Sequence, residues 1–136
     1  MLFVAGSPGP SLPVAVPGWD RADEELIEYV GGTGGVPPAV LADRDLLTTM
    51  LSTIRADLTV VASWPYRPAP LRCPVRAFAG ESDGYASPER MRAWRHETES
   101  SFSLDVLPGG HFFPRDERAR LLTAVSHELR RTRTPG

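Results

Sequence analysis

Apolar residues fall along this chain in two rhythms. Three short runs are apolar almost throughout: Leu2-Phe3-Val4-Ala5, Cys73-Pro74-Val75-Arg76-Ala77-Phe78-Ala79, and Phe102 to Leu107. Such runs, closed by turn residues, suit strands of a parallel sheet, which are buried on both faces. The first run is odd in this respect, since nothing before it supplies a neighbour. Elsewhere the apolar positions recur at helical spacing. Leu26, Ile27 and Val30 stripe a helix over Asp20 to Val30, with Asp20 or Asp23 as its cap and Gly31-Gly32 as its stop. Pro37 and Pro38 open a short helix through Leu41. Leu46, Leu47, Met50, Leu51, Ile54, Leu58 and Val61 stripe a longer one from Asp45 to about Ser63. That stripe suits core packing or a lid over an apolar chain, and spacing alone does not separate the two.

After the second run, Ser87-Pro88-Glu89 reads as N-cap, first position and first turn of a helix that ends near Ser100. After the third comes a helix over Asp116 to Arg131, with Leu121, Leu122, Val125 and Leu129 on one face and arginines at its end. Strand, helical insertion, strand, helix, strand, helix is an α/β order. It predicts about three parallel strands joined by right-handed crossovers, with flanking helices.

Composition narrows the class. A chain of 136 residues, 41% hydrophobic, fits one globular domain. No apolar run approaches the ~20 residues of a membrane helix, and no signal peptide is visible, so the expectation is a cytoplasmic protein without membrane contact. The net charge of -2 gives no field favouring nucleic acid. All 15 basic residues are arginine, a skew that fits a GC-rich genome. The single cysteine, Cys73, excludes a disulfide framework, and no His/Asp/Glu cluster has metal spacing. No cofactor is expected.

The candidate chemistry gathers at two turns. Leu107-Pro108-Gly109-Gly110-His111 puts a histidine on a glycine-rich turn between a strand and a helix. Ala79-Gly80-Glu81-Ser82-Asp83 puts an acid after the preceding strand. In a parallel sheet both turns lie at the carboxyl edge. There Asp83 could hold one nitrogen of His111 while the other takes a proton. The competing side chains suit structural or solvated positions. Glu81 points elsewhere, Asp105 lies within a strand, and Asp116 and Glu117 suit a helix's first turn. His96 and His127 lie mid-helix among charged residues. Ser7 follows a strand, but the next residue is Pro8, which has no N–H to give an oxyanion.

With these residues placed, the chain resembles the C-terminal half of a type II thioesterase, an α/β-hydrolase serving nonribosomal peptide and polyketide synthases. The resemblance rests on Leu2-Phe3-Val4-Ala5-Gly6 with Pro13, Gly31-Gly32-Thr33, Pro37 to Leu41, Leu51 with Ile54-Arg55-Ala56-Asp57, and Cys73-Pro74-Val75. It continues through Gly80 to Asp83, Ser87-Pro88-Glu89, Trp94, and Pro108-Gly109-Gly110-His111-Phe112-Phe113. It implies Asp83 as the acid and His111 as the base of a catalytic triad. It also implies Asp20 to about Ser63 as a helical lid, and an acyl or peptidyl carrier protein with a phosphopantetheine thioester as substrate.

The chain departs from that pattern where the family's Gly-x-Ser-x-Gly elbow is absent, and where Glu81, Gly84 and Ser7 replace the usual Asp, Pro and a basic residue. The expectation is a thioesterase fragment, inactive alone, whose first strand is an exposed sheet edge able to associate with another chain. The alternatives are a non-catalytic module that binds a carrier protein or synthase, and a fragment of a different α/β-hydrolase esterase.

Overall fold

The computed structural model describes residues 1–13 and 22–133. Asp20, read above as a possible cap, lies outside them. The chain divides into two compact units, Met1–Leu12 with Pro68–Gly136, and Pro13–Arg67.

The first unit holds a three-stranded parallel sheet: β1 (Leu2–Ala5), β2 (Val75–Gly80) and β3 (Phe102–Leu107), in the order β1-β2-β3. The central strand is the most apolar one for a physical reason. With neighbours on both sides and elements on both faces, Val75, Ala77, Phe78 and Ala79 are each at most 1% exposed. Its one charge, Arg76, is neutralised locally. Its guanidinium donates to Asp105 on β3 at 2.7 Å and to Glu128 at 3.2 Å. The hydrogen bond to Asp105, outweighing partial desolvation and helped by both carboxylates, raises the Arg76 pKa. β1 is an edge strand and only half-buried, which corrects the expectation of burial on both faces.

The second run begins its ladder at Val75 rather than Cys73. Ahead of it, the Thr98 hydroxyl donates to the carbonyls of Leu71 and Cys73. Cys73 is a free, half-buried thiol.

α4 (Pro88–Met91) starts at Ser87, whose hydroxyl accepts from the Arg90 N–H. It tightens into a 3-10 helix over Arg92–Glu97, so the helix expected through Ser100 is shorter and mixed. Ala77, Ala79, Ala86 and Met91 form the core beneath it. The loop after β1 is strapped to this region. The Trp94 indole donates to the Ser7 carbonyl at 2.8 Å, and the Ser11 N–H donates to the buried carboxylate of Glu97 at 3.1 Å.

The last helix is also split, into α5 (Phe113–Asp116) and α6 (Arg118–Arg133). Asp116 therefore ends one helix instead of opening another; it pairs with Arg115, and Glu117 pairs with Arg120. The apolar face expected on α6 is narrower than predicted. Leu121 and Val125 are half-buried, whereas Leu122 and Leu129 are exposed on an adjacent line of the helix.

The second unit is helical: α1 (Asp23–Gly32), α2 (Pro38–Leu41) and α3 (Arg44–Ser63). Leu26 and Val30 of α1 pack with Leu47 and Leu51 of α3. Asp23 does not cap α1. It lies in the first turn and pairs with Arg55 at 2.7 Å, while Ala22 holds the cap position without a side-chain bond. The helix ends at Gly32, taking in both glycines of the expected stop, and the left-handed residue that then turns the chain is Gly34, with φ +73. Asp43 caps α3, accepting from the N–H groups of Asp45 and Leu46. Leu46 and Val61, placed in the apolar stripe above, are exposed. No helix among the described residues is long and apolar enough to cross a membrane.

Candidate active site

The sheet brings two turns to one rim because β2 and β3 run parallel and side by side. Past the ends of both strands the backbones stay joined: the Glu81 N–H donates to the Leu107 carbonyl at 2.8 Å, and the Ser82 N–H to the Gly109 carbonyl at 3.0 Å. This junction has no room for a side chain at position 80. A Cβ there would overlap the Gly110 carbonyl oxygen and lie 2.8 Å from that of Gly109. Gly109, with φ +103, takes the left-handed turn that sends the chain back toward β2. Phe113, fully buried, anchors the far side, and its N–H closes the turn onto the Gly110 carbonyl at 3.0 Å.

Asp83 and His111 meet across this junction. Asp83 Oδ2 lies 2.9 Å from His111 Nδ1. The carboxylate side chain is fully buried and the imidazole 31% exposed. Asp83 Oδ1 accepts from the backbone N–H groups of Tyr85 and Ala86, each at 2.9 Å. Three hydrogen bonds therefore compensate a buried carboxylate, which would otherwise be costly. An ionised carboxylate only accepts, so Nδ1 carries the hydrogen and Nε2 of the neutral ring has the free lone pair. That is the tautomer a general base needs.

Sequence reasoning missed several neighbours. The Tyr85 ring stands nearly perpendicular to the imidazole at 5.7 Å between centroids, and the Phe112 ring does the same at 5.3 Å. Gly6, at the end of β1, is also adjacent: a Cβ there would be 3.8 Å from His111 Cε1. The signal for Tyr85 was its place two residues after the acid, where a short turn must return the chain toward the same carboxylate. Contact between Gly6 and His111 had no local signal.

The competing groups lie elsewhere. Asp105 is committed to Arg76, Glu81 is exposed, and His96 and His127 are exposed. Ser7 is exposed, its carbonyl held by Trp94. Among the described residues no three His, Cys, Asp or Glu side chains gather as metal ligands.

Known proteins share this arrangement of chain. The thioesterase domain family matches residues 1–129. Gramicidin S biosynthesis protein GrsT of Aneurinibacillus migulanus is 32% identical over 136 residues, covering 98% of this chain and 53% of that protein. The RedJ thioesterase from the prodiginine biosynthetic pathway of Streptomyces coelicolor superposes with a TM-score of 0.82 at 37% identity, over 93% of this chain and 51% of that one. The type II thioesterase BorB from the borrelidin biosynthetic cluster superposes with a TM-score of 0.78 at 33% identity, over 94% and 53%. The chain thus spans about half the length of the relatives it matches. Three parallel strands, helices around them and relatives of this kind make the fold a partial α/β-hydrolase, and the chain belongs to the thioesterase domain family.

Proposed function

We propose that this chain supplies the acid and base of a thioesterase that frees acyl groups from the phosphopantetheine arm of carrier proteins in nonribosomal peptide or polyketide synthesis. The observation that carries the reading is the 2.9 Å contact between the buried Asp83 carboxylate and Nδ1 of the partly exposed His111. Its chemistry is that of a triad's base and orienting acid.

In this reading the attacking hydroxyl comes from a serine outside residues 1–136. His111 Nε2 takes the serine proton as the oxygen attacks the thioester carbonyl. The C–S bond then breaks, and the imidazolium returns the proton to the departing thiol. Water, deprotonated by the same nitrogen, next attacks the acyl-serine ester and releases the acid and the serine. Asp83 stays ionised throughout, holding the ring and stabilising its charged form. Asp83 and His111 are the residues assigned to catalysis. No cofactor or metal is required by these steps.

We assign residues 20–63 to a lid over the acyl channel. Support comes from α1 to α3 having a core of their own, and from the exposed apolar side chains of Val60, Val61 and Trp64 near the end of α3.

The test uses an acyl-phosphopantetheine carrier protein as substrate. The 136-residue chain alone is expected to turn it over negligibly. Adding a half-domain that bears the Gly-x-Ser-x-Gly elbow is expected to give turnover that disappears with His111→Ala. Clear hydrolysis by the chain alone, or complemented hydrolysis indifferent to His111, overturns the assignment.

A further inference from the structure

A carboxylate holds an imidazole at one atom, and a ring held at one atom can still swing. Two features beyond the Asp83 contact limit that motion. The Phe112 ring belongs to the histidine's own turn. Tyr85 comes from the other turn and is itself fixed. Its backbone N–H is bound to Asp83 Oδ1. Its ring packs against the core of Ala77, Ala79, Ala86 and Met91, and the Arg90 guanidinium lies 5.9 Å from the ring centroid. The interplanar angle of 85° and the 5.7 Å centroid distance to His111 are those of an edge-to-face pair.

We propose that Tyr85 is a positioning residue whose ring restrains the rotation of the His111 imidazole, keeping Nδ1 on Asp83 and Nε2 presented outward. The side chain acts through its ring face and edge, and its hydroxyl is not needed. Its backbone N–H supports Asp83 whatever side chain is present, so ring and backbone contributions separate cleanly by substitution. As a contribution to catalysis the inference rests on the thioesterase reading; as a restraint on the imidazole it does not.

The experiment follows the Nδ1–H proton of His111 by NMR in the 136-residue chain labelled with 15N-histidine, above the ordinary imidazole titration range. The wild type is expected to give a downfield, slowly exchanging signal, and Tyr85→Phe the same signal. Tyr85→Ala is expected to speed exchange with water about fivefold, the factor that loss of an aromatic pair carries. Tyr85→Leu keeps apolar bulk without a ring and is expected to match Tyr85→Ala; it decides the matter if the alanine variant does not fold. Wild-type exchange in Tyr85→Leu, or fast exchange in Tyr85→Phe, overturns the proposal. The signal reads restraint of the ring with no substrate present, so it is independent of whether the pair catalyses thioester hydrolysis.

Discussion

At the scale of single residues, Asp83 divides its two oxygens between two tasks. Oδ1 closes the chain's own turn through Tyr85 and Ala86, and Oδ2 faces the imidazole. Asp83→Asn separates these tasks. Its amide oxygen can still accept from the two N–H groups, but its NH2 then faces Nδ1 and forces the hydrogen onto Nε2. In the complemented thioesterase, kcat should fall by about 10⁴ because the base has the wrong tautomer, while KM stays near wild type. Steady-state kinetics on the carrier thioester check this, and a loss confined to KM would contradict it. The meeting of Asp83 and His111 was legible in the sequence because each follows a short apolar run and the sheet edge is common to them. Tyr85 and Gly6 were not. Their closeness to His111 depends on how three separate loops fold over one rim, and periodicity carries nothing about loops.

At the scale of elements, the junction between β2 and the turn after β3 depends on the bare backbone at position 80. Gly80→Ala must push the Gly109 and Gly110 carbonyls away, and overpacking of this kind costs about 1–3 kcal/mol. Urea unfolding should report that loss; an unaltered midpoint would mean that the two backbones do not approach so closely. In the helical unit, Asp43→Ala removes the cap of α3 and should cost about 1 kcal/mol, read as a lowered melting temperature.

Arg76 has a calculable sign. Its pKa is raised in the folded chain, chiefly by the hydrogen bond to Asp105. The stabilisation is therefore complete below the ordinary guanidinium range and fades only as pH climbs through the raised value. Arg76→Met should accordingly destabilise the chain to the same extent at pH values on either side of neutrality, so far as Arg76's own titration is concerned. A penalty that grows across neutral pH would point to another titrating group.

The strands were readable from their apolar runs, and the position of β3 matched to the residue. Helix ends were less so. The left-handed turn at Gly34 after α1 and the break between α5 and α6 are set by local backbone geometry that a count of apolar residues passes over.

At the scale of the whole molecule, β1 is one edge of the sheet among the described residues. The Leu2 N–H bonds to the Pro74 carbonyl and the Gly6 N–H to that of Phe78, both toward β2. Residues alternate along a parallel strand, so Phe3 and Ala5 direct their N–H and C=O groups away from β2, where no strand pairs with them among the described residues. A row of this kind invites pairing with another strand. A thioesterase half-domain carrying the serine elbow should therefore raise the chain's melting temperature by several degrees, since a partner at about 100 times its Kd adds about 2.7 kcal/mol. Melting curves that stay put on its addition would remove this edge as the docking surface.

The rim of the sheet has one more consequence. Gly6, Gly80 and Gly109 come from three different strand ends: Gly6 faces the imidazole, Gly80 the backbone of Gly109 and Gly110, and Gly109, in the left-handed region, Phe113 of its own turn. None of them holds a functional group. A saturation survey scored on thioester release would nonetheless mark all three as forbidden ground, indistinguishable by tolerance from Asp83 and His111. Searches that equate intolerance with chemistry would count these glycines alongside the proposed acid and base, and the surplus would be architecture.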